Sequence, residues 1–96
     1  MASIQETRTY AGKSASEVYQ AMLKAAPQAG LQIWKRRDIG WLIMVRSSVG
    51  KAAIDGNVSA RPGGQATVSL SSSALSEAEL QAHAERVFSE MSKILG

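Results

Sequence analysis

A hairpin from Leu31 to Ser47 constrains this chain more than any other stretch, because both of its faces read as apolar. Trp41, Ile43 and Val45 alternate onto one face. Leu42 and Met44 point the other way, joined by Trp34 from the preceding strand. A sheet packed on one side by helices alternates apolar-in and polar-out. A second apolar stripe therefore requires a cover: a partner chain, a ligand, or another part of the same domain. The 96 residues suit one domain, 1–96, with little room for two cores.

The remaining elements follow from local chemistry. Ile4 to Tyr10 reads as a first strand, but Glu6 and Arg8 share parity with Ile4 and Tyr10, which predicts an edge position or a bulge. Gly12 and Lys13 turn the chain. Ser14 with Glu17 forms a capping box, and Val18, Met22 and Ala25 repeat at helical spacing. Pro27 and Gly30 end that helix, placed at 15–28. Strands are expected at Leu31–Lys35, Trp41–Ser47, about Lys51–Arg61 and Gln65–Ser73. In the fourth, Gly56 marks a bulge or a close approach among the inward residues Ala52, Ile54, Val58 and Ala60. Arg61-Pro62-Gly63-Gly64 is a turn with Pro at its second position and Gly at its third. Ser76 and Glu79 form a second capping box, with Leu75 and Leu80 as a hydrophobic staple. Leu80, Ala84, Val87, Met91 and Ile94 then make an amphipathic stripe. The order β-α-β-β-β-β-α predicts an α+β fold: an antiparallel sheet of about five strands with two helices on one face.

Several functions are disfavoured by residue type. Without cysteine there is no disulfide, thiolate zinc site or Cys nucleophile. His83, the one histidine, sits between Glu79 and Arg86 on a helix and cannot make a metal site alone. Gly12-Lys13-Ser14 imitates the end of a phosphate-binding loop, but Thr7 stands where that loop needs its first Gly. Ser71-Ser72-Ser73 has no adjacent base, and no carboxylate pair stands out. Neither enzymatic activity, nor a cofactor, nor a metal is expected. No signal peptide or membrane-length apolar run is visible, which predicts a cytoplasmic protein without a membrane partner.

The surface away from the helices is the candidate working surface. By parity it collects Trp34, Arg36, Leu42, Met44, Arg46, Asn57, Ser59, Arg61, Thr67 and Ser69. Lys35-Arg36-Arg37 adds the densest basic cluster at the hairpin tip. Net charge is +3, with residues 1–75 at +5 and 76–96 at −2. Covering Trp34, Leu42 and Met44 would contribute about 5–8 kcal/mol at ~1.5–3 each. A two-fold contact collects that burial twice, whereas phosphate contacts are few and salt-sensitive. The leading expectation is a non-enzymatic module that forms a homodimer or binds a protein partner, through this face or an edge strand. Two alternatives use other residues or other chemistry. A small apolar ligand could sit between sheet and second helix, beside Ala52, Gly56, Ala60, Ala66 and Ala84. Single-stranded nucleic acid could stack on Trp34 with arginines on its phosphates.

Three stretches look like a group of small bacterial domains: Ser16-Glu17-Val18-Tyr19-Gln20-Ala21, Gly30-Leu31-Gln32-Ile33, and Asn57-Val58-Ser59 through Thr67-Val68-Ser69-Leu70-Ser71-Ser72. With the element order, they resemble folds of the TATA-binding-protein-like and helix-grip type. The resemblance implies a curved antiparallel sheet gripping helices, and no activity. This chain holds one such repeat and lacks paired phenylalanines, so DNA bending is not implied. A double-stranded-RNA-binding domain is a poorer comparison. Its last helix opens on lysines, and here that helix opens on Ser76-Glu77-Ala78-Glu79.

Overall fold

The computed structural model describes residues 2–49 and 52–95. Its elements run β1 (Ala2–Thr9), α1 (Ala15–Gln28), β2 (Gln32–Arg37), β3 (Leu42–Val49), β4 (Ala52–Arg61), β5 (Gln65–Ser72) and α2 (Glu77–Leu95). The expected α+β order is the observed one. Gly50 and Lys51, read as the lead into the fourth strand, lie outside the described residues, as does the side chain of Ala52.

The strands form one antiparallel sheet in the order β1-β5-β4-β3-β2. The first two strands in sequence thus stand at opposite edges. Helix α1 crosses between them, packing against β2, β3 and β4, while α2 lies over β1 and β5. Both helices occupy one face. Val18, Met22, Ile43, Val45, Ile54, Val58, Val68, Leu80, Val87 and Met91 are fully buried there.

Both capping boxes form. Ser14 Oγ accepts the Glu17 amide at 3.1 Å, and Ser76 Oγ accepts that of Glu79 at 3.2 Å. Each glutamate reaches back to the cap amide. Helix α1 ends in a left-handed Gly30 with φ +86°. The Leu31 amide donates to Ala26 O at 2.9 Å and the Gly30 amide to Pro27 O at 3.1 Å, a Schellman arrangement that turns the chain into β2. Ser72 is buried, and its Oγ accepts the amides of Ala74 and Leu75, bending the chain from β5 towards α2.

Two details depart from the sequence expectation, at Trp41 and on α2, and two others, at Gly56 and in β1, settle which of its alternatives holds. Trp41 does not begin β3; it occupies a left-handed turn position, φ 51°, half-buried against the core edge. Its carbonyl still accepts the Ala60 amide at 2.9 Å, so the ladder holds. Gly56 sits in unbroken register and marks a close approach, not a bulge. On α2, Phe88 is buried and Ile94, expected in the apolar stripe, is exposed. In β1, Glu6 and Arg8 do face inward without a bulge, at an edge where α2 meets them with polar side chains.

Candidate interaction surface

The face opposite the helices is assembled by strand parity. Ile43 and Val45 enter the core, so Leu42 and Met44, which alternate with them, point outward and are only partly covered. Towards β1 the same face carries hydroxyls and amides: Asn57, Ser59, Thr67 and Ser69 from β4 and β5, then Gln5 and Thr7 from β1. Thr7 Oγ1 and Thr67 Oγ1 lie 3.0 Å apart across the β1–β5 pair.

A bulge in β2 decides what joins Leu42 and Met44. Ile33 pairs with Val45 and Lys35 with Met44, which leaves Trp34 as the extra residue. Trp34 is 48% exposed, and the Arg46 guanidinium lies over its ring, 4.4 Å from the centroid. Such an exposed cation–π contact is worth about 0.5–1 kcal/mol. The structure thus brings Trp34, Leu42, Met44 and Arg46 together at the β2–β3 corner, with Arg61 at the far end of β4.

Arg36 does not join them. Beyond the bulge its partner is the core residue Ile43, so Arg36 projects to the helix side. There it donates to Asp38 Oδ1 through Nε at 3.3 Å and Nη2 at 3.2 Å. The Tyr19 hydroxyl of α1 donates to the same oxygen. The Tyr19 hydrogen bond, then the Arg36 charge, holds the Asp38 carboxyl below its usual value. Burial, then that hydrogen bond, pushes the Tyr19 hydroxyl up. Parity counting failed here because one inserted residue inverts every later side chain in the strand.

The bulge also sorts charge. By register, Lys35, Arg37, Arg46 and Arg61 belong to the open face, where Asp55 is the one acid among the described residues. Glu6, Glu17, Asp38 and the four glutamates of α2 lie on the helix side.

A second polar feature runs along β1 and α2. Arg8 binds Glu85, approaches Glu6 Oε2 at 3.7 Å and covers the Phe88 ring at 5.0 Å. Gln81 donates to Glu6 at 3.0 Å. Beside them, Arg8, Tyr10, Lys13, Glu85, Phe88 and Leu95 line a cleft of about 570 Å³. Tyr10 donates to Phe88 O at 3.2 Å, and burial raises its hydroxyl above the usual value. The parity of Glu6 and Arg8 points to the edge position of β1 but not to their partners on α2. The available signal was their opposite sign and their match to Gln81 and Glu85 on α2.

His83 is half-buried, with Nδ1 sequestered and without a hydrogen-bond partner among the described residues. No group of three or more His, Cys, Asp or Glu among those residues comes together to hold a metal. No helix among them is long and apolar enough to cross a membrane. Ala60, Ala66 and Ala84 belong to the continuous buried cluster between sheet and helices. Set against protein-family models and against curated proteins, the chain matches none.

Proposed function

We propose that the protein is a non-enzymatic assembly and binding module: copies associate with one another, and the open sheet face is left for a further partner. The observation that carries this reading is a sheet that the described residues leave uncovered on one face, apolar at its Trp34–Leu42–Met44 corner, and unpaired along the outer edge of β1. The non-enzymatic part is supported by how the carboxylates are used. Glu17 and Glu79 complete capping boxes, Asp38 binds Tyr19 and Arg36, and Glu85 and Glu90 bind Arg8 and Lys93. The resemblance to TATA-binding-protein-like and helix-grip domains belongs to the same proposal, supported by the element order and the two helices on one face. Between the two, a ligand chamber of helix-grip type is less supported, since the small inward alanines are packed into the core.

Charge weighs on the route of assembly. Stacking two open faces would set Lys35, Arg37, Arg46 and Arg61 against the same four cations of a second copy. The β2 edge carries a bulge and three consecutive basic residues, both of which oppose strand pairing. Light scattering over a concentration series tests self-association: a dimer is expected, and a monomer at every concentration refutes it.

A second reading concerns the open face itself, and the sorting of charge favours it. Three cations near a half-exposed tryptophan, with Arg61 farther along the same face, suit a single-stranded polyanion, with bases stacking on Trp34 and phosphates on the arginines and lysine. Neutralising about four phosphates implies a roughly fiftyfold loss of affinity between 50 and 200 mM salt. Oligonucleotide quenching of tryptophan fluorescence, absent in Trp34→Phe, is the expected signature. No quenching at low salt refutes this reading.

A further inference from the structure

We infer that the self-association proposed above runs through the outer edge of β1, which pairs antiparallel with β1 of a second copy about a two-fold axis at Thr7. This rests on the assembly reading and adds its site and register. The edge is usable: among the described residues β1 pairs with β5 alone, in unbroken register from Ala2 to Thr9. The Tyr10 amide donates to Gly64 O at 2.7 Å, continuing the register in which Thr9 meets Gln65. The even-numbered residues therefore bond towards β5, and Ser3, Gln5, Thr7 and Thr9 turn their amides and carbonyls to the free edge.

Two antiparallel copies can satisfy those groups only where an odd residue faces an odd residue. Charge then selects among the allowed registers. Gln5 opposite the partner's Thr7 would set Glu6 against the partner's Glu6. Thr7 opposite the partner's Thr9 would set Arg8 against the partner's Arg8. Gln5 opposite the partner's Gln5 would place Ile4 against the partner's Glu6. Thr7 opposite the partner's Thr7 places Glu6 against the partner's Arg8 twice over, at the closely spaced non-hydrogen-bonded positions. The same register sets Ile4 against the partner's Tyr10, at the mouth of the cleft formed with Phe88 and Leu95. Opposite-charge, Thr–Thr and aromatic–β-branched pairs are the favourable cross-strand combinations, and all three occur together. On the helix side the new pair extends an existing chain of contacts: Glu85 to Arg8, then across to the partner's Glu6 and the partner's Gln81. Inward charges ordinarily guard an edge. Here they reject the neighbouring registers and admit one.

The test uses two charge reversals and their mixture, with mass read by light scattering or sedimentation. Wild-type protein should reach twice the monomer mass. Glu6→Lys sets lysine against Arg8, and Arg8→Glu sets glutamate against Glu6. The second variant also carries Glu85→Gln, so that the new carboxylate does not face Glu85 in its own chain. Each should weaken the dimer roughly tenfold to a thousandfold, with the far-ultraviolet circular dichroism of the folded chain retained. Mixed in equal amounts, they should form a heterodimer, because each then meets its opposite at both positions. That rescue excludes misfolding as the cause of dissociation. A wild-type dimer that both variants leave intact overturns the edge assignment while keeping self-association. Variants that dissociate but do not combine overturn the register. A wild-type monomer overturns both.

Discussion

Gly56→Ala isolates the tightest point of the sheet. Gly56 faces Val45 on one side and Leu70 on the other, on the core side shared by Ile54 and Val58. A Cβ built there lies 2.8 Å from Leu70 Cδ2 and 3.0 Å from Leu70 Cα, and drives into the Ser69 carbonyl oxygen. Leu70 is 2% exposed, and the β5 backbone that carries the clashing Ser69 carbonyl is held between β1 and β4. Overpacking in a filled core costs about 1–3 kcal/mol, and the backbone clash puts this case at the upper end. A chain of this size has about 5–14 kcal/mol in total. A loss near 3 kcal/mol would lower Tm by about 12–24 °C. Gly30→Ala is the control, because its added Cβ meets nothing within 4 Å and only the φ of +86° opposes it. That left-handed cost is about 1–2 kcal/mol. Equilibrium urea unfolding of both variants, with m unchanged, measures the difference. Gly56→Ala within about 0.5 kcal/mol of wild type, or no worse than Gly30→Ala, would refute the reasoning.

Trp34→Ser with Met44→Ser should leave both fold and dimer intact while abolishing oligonucleotide quenching; loss of the dimer would move assembly to the open face. Ser14→Ala and Ser76→Ala should each cost about 1 kcal/mol in urea unfolding, and additively, since they cap separate helices. Asp38 has a lowered carboxyl pKa, so its contribution is complete above the usual 3.8 and is lost as pH falls through the folded value. Asp38→Asn should therefore be less stable than wild type at pH 7, with the gap closing in acid; a gap independent of pH contradicts this. Tyr10 and Tyr19 have raised values, so their contribution is present below the usual 10.0 and is lost as pH climbs past it. Alkaline titration of unfolding should show that loss, reduced in Tyr19→Phe.

Local signals in the sequence were strong where the chemistry is local. The capping boxes at Ser14 and Ser76, the stop at Gly30 and the alternation of β5 each depend on residues a few positions apart, and all are legible. The bulge at Trp34 is not, because nothing in Trp-Lys-Arg-Arg announces an extra residue; only pairing with β3 does. Trp34, Leu42, Met44, Arg46 and Arg61 were placed correctly on one face, and Arg36 was lost to that single insertion. The inward pair Glu6 and Arg8 signals the edge position that β1 takes, but its partners Gln81 and Glu85 come from the far end of the chain and are not legible locally. Left-handed Trp41 had no signal, since the turn before it ends in a glycine one residue too early.

The sheet order β1-β5-β4-β3-β2 also sets a schedule. The β2–β3–β4–β5 meander closes by neighbouring hairpins and can form as soon as its strands exist. Strand β1 has no neighbour until β5 is made, because Thr9 waits for Gln65 and Ala2 for Ser72. Such distant pairing carries a loop-closure cost and places folding towards the slower, millisecond-to-second range. During synthesis β1 emerges ahead of the other four strands of this sheet yet must wait for β5 to find its place. It spends the interval with two bare edges, so crowded nascent chains would find their earliest chance of mispairing at β1.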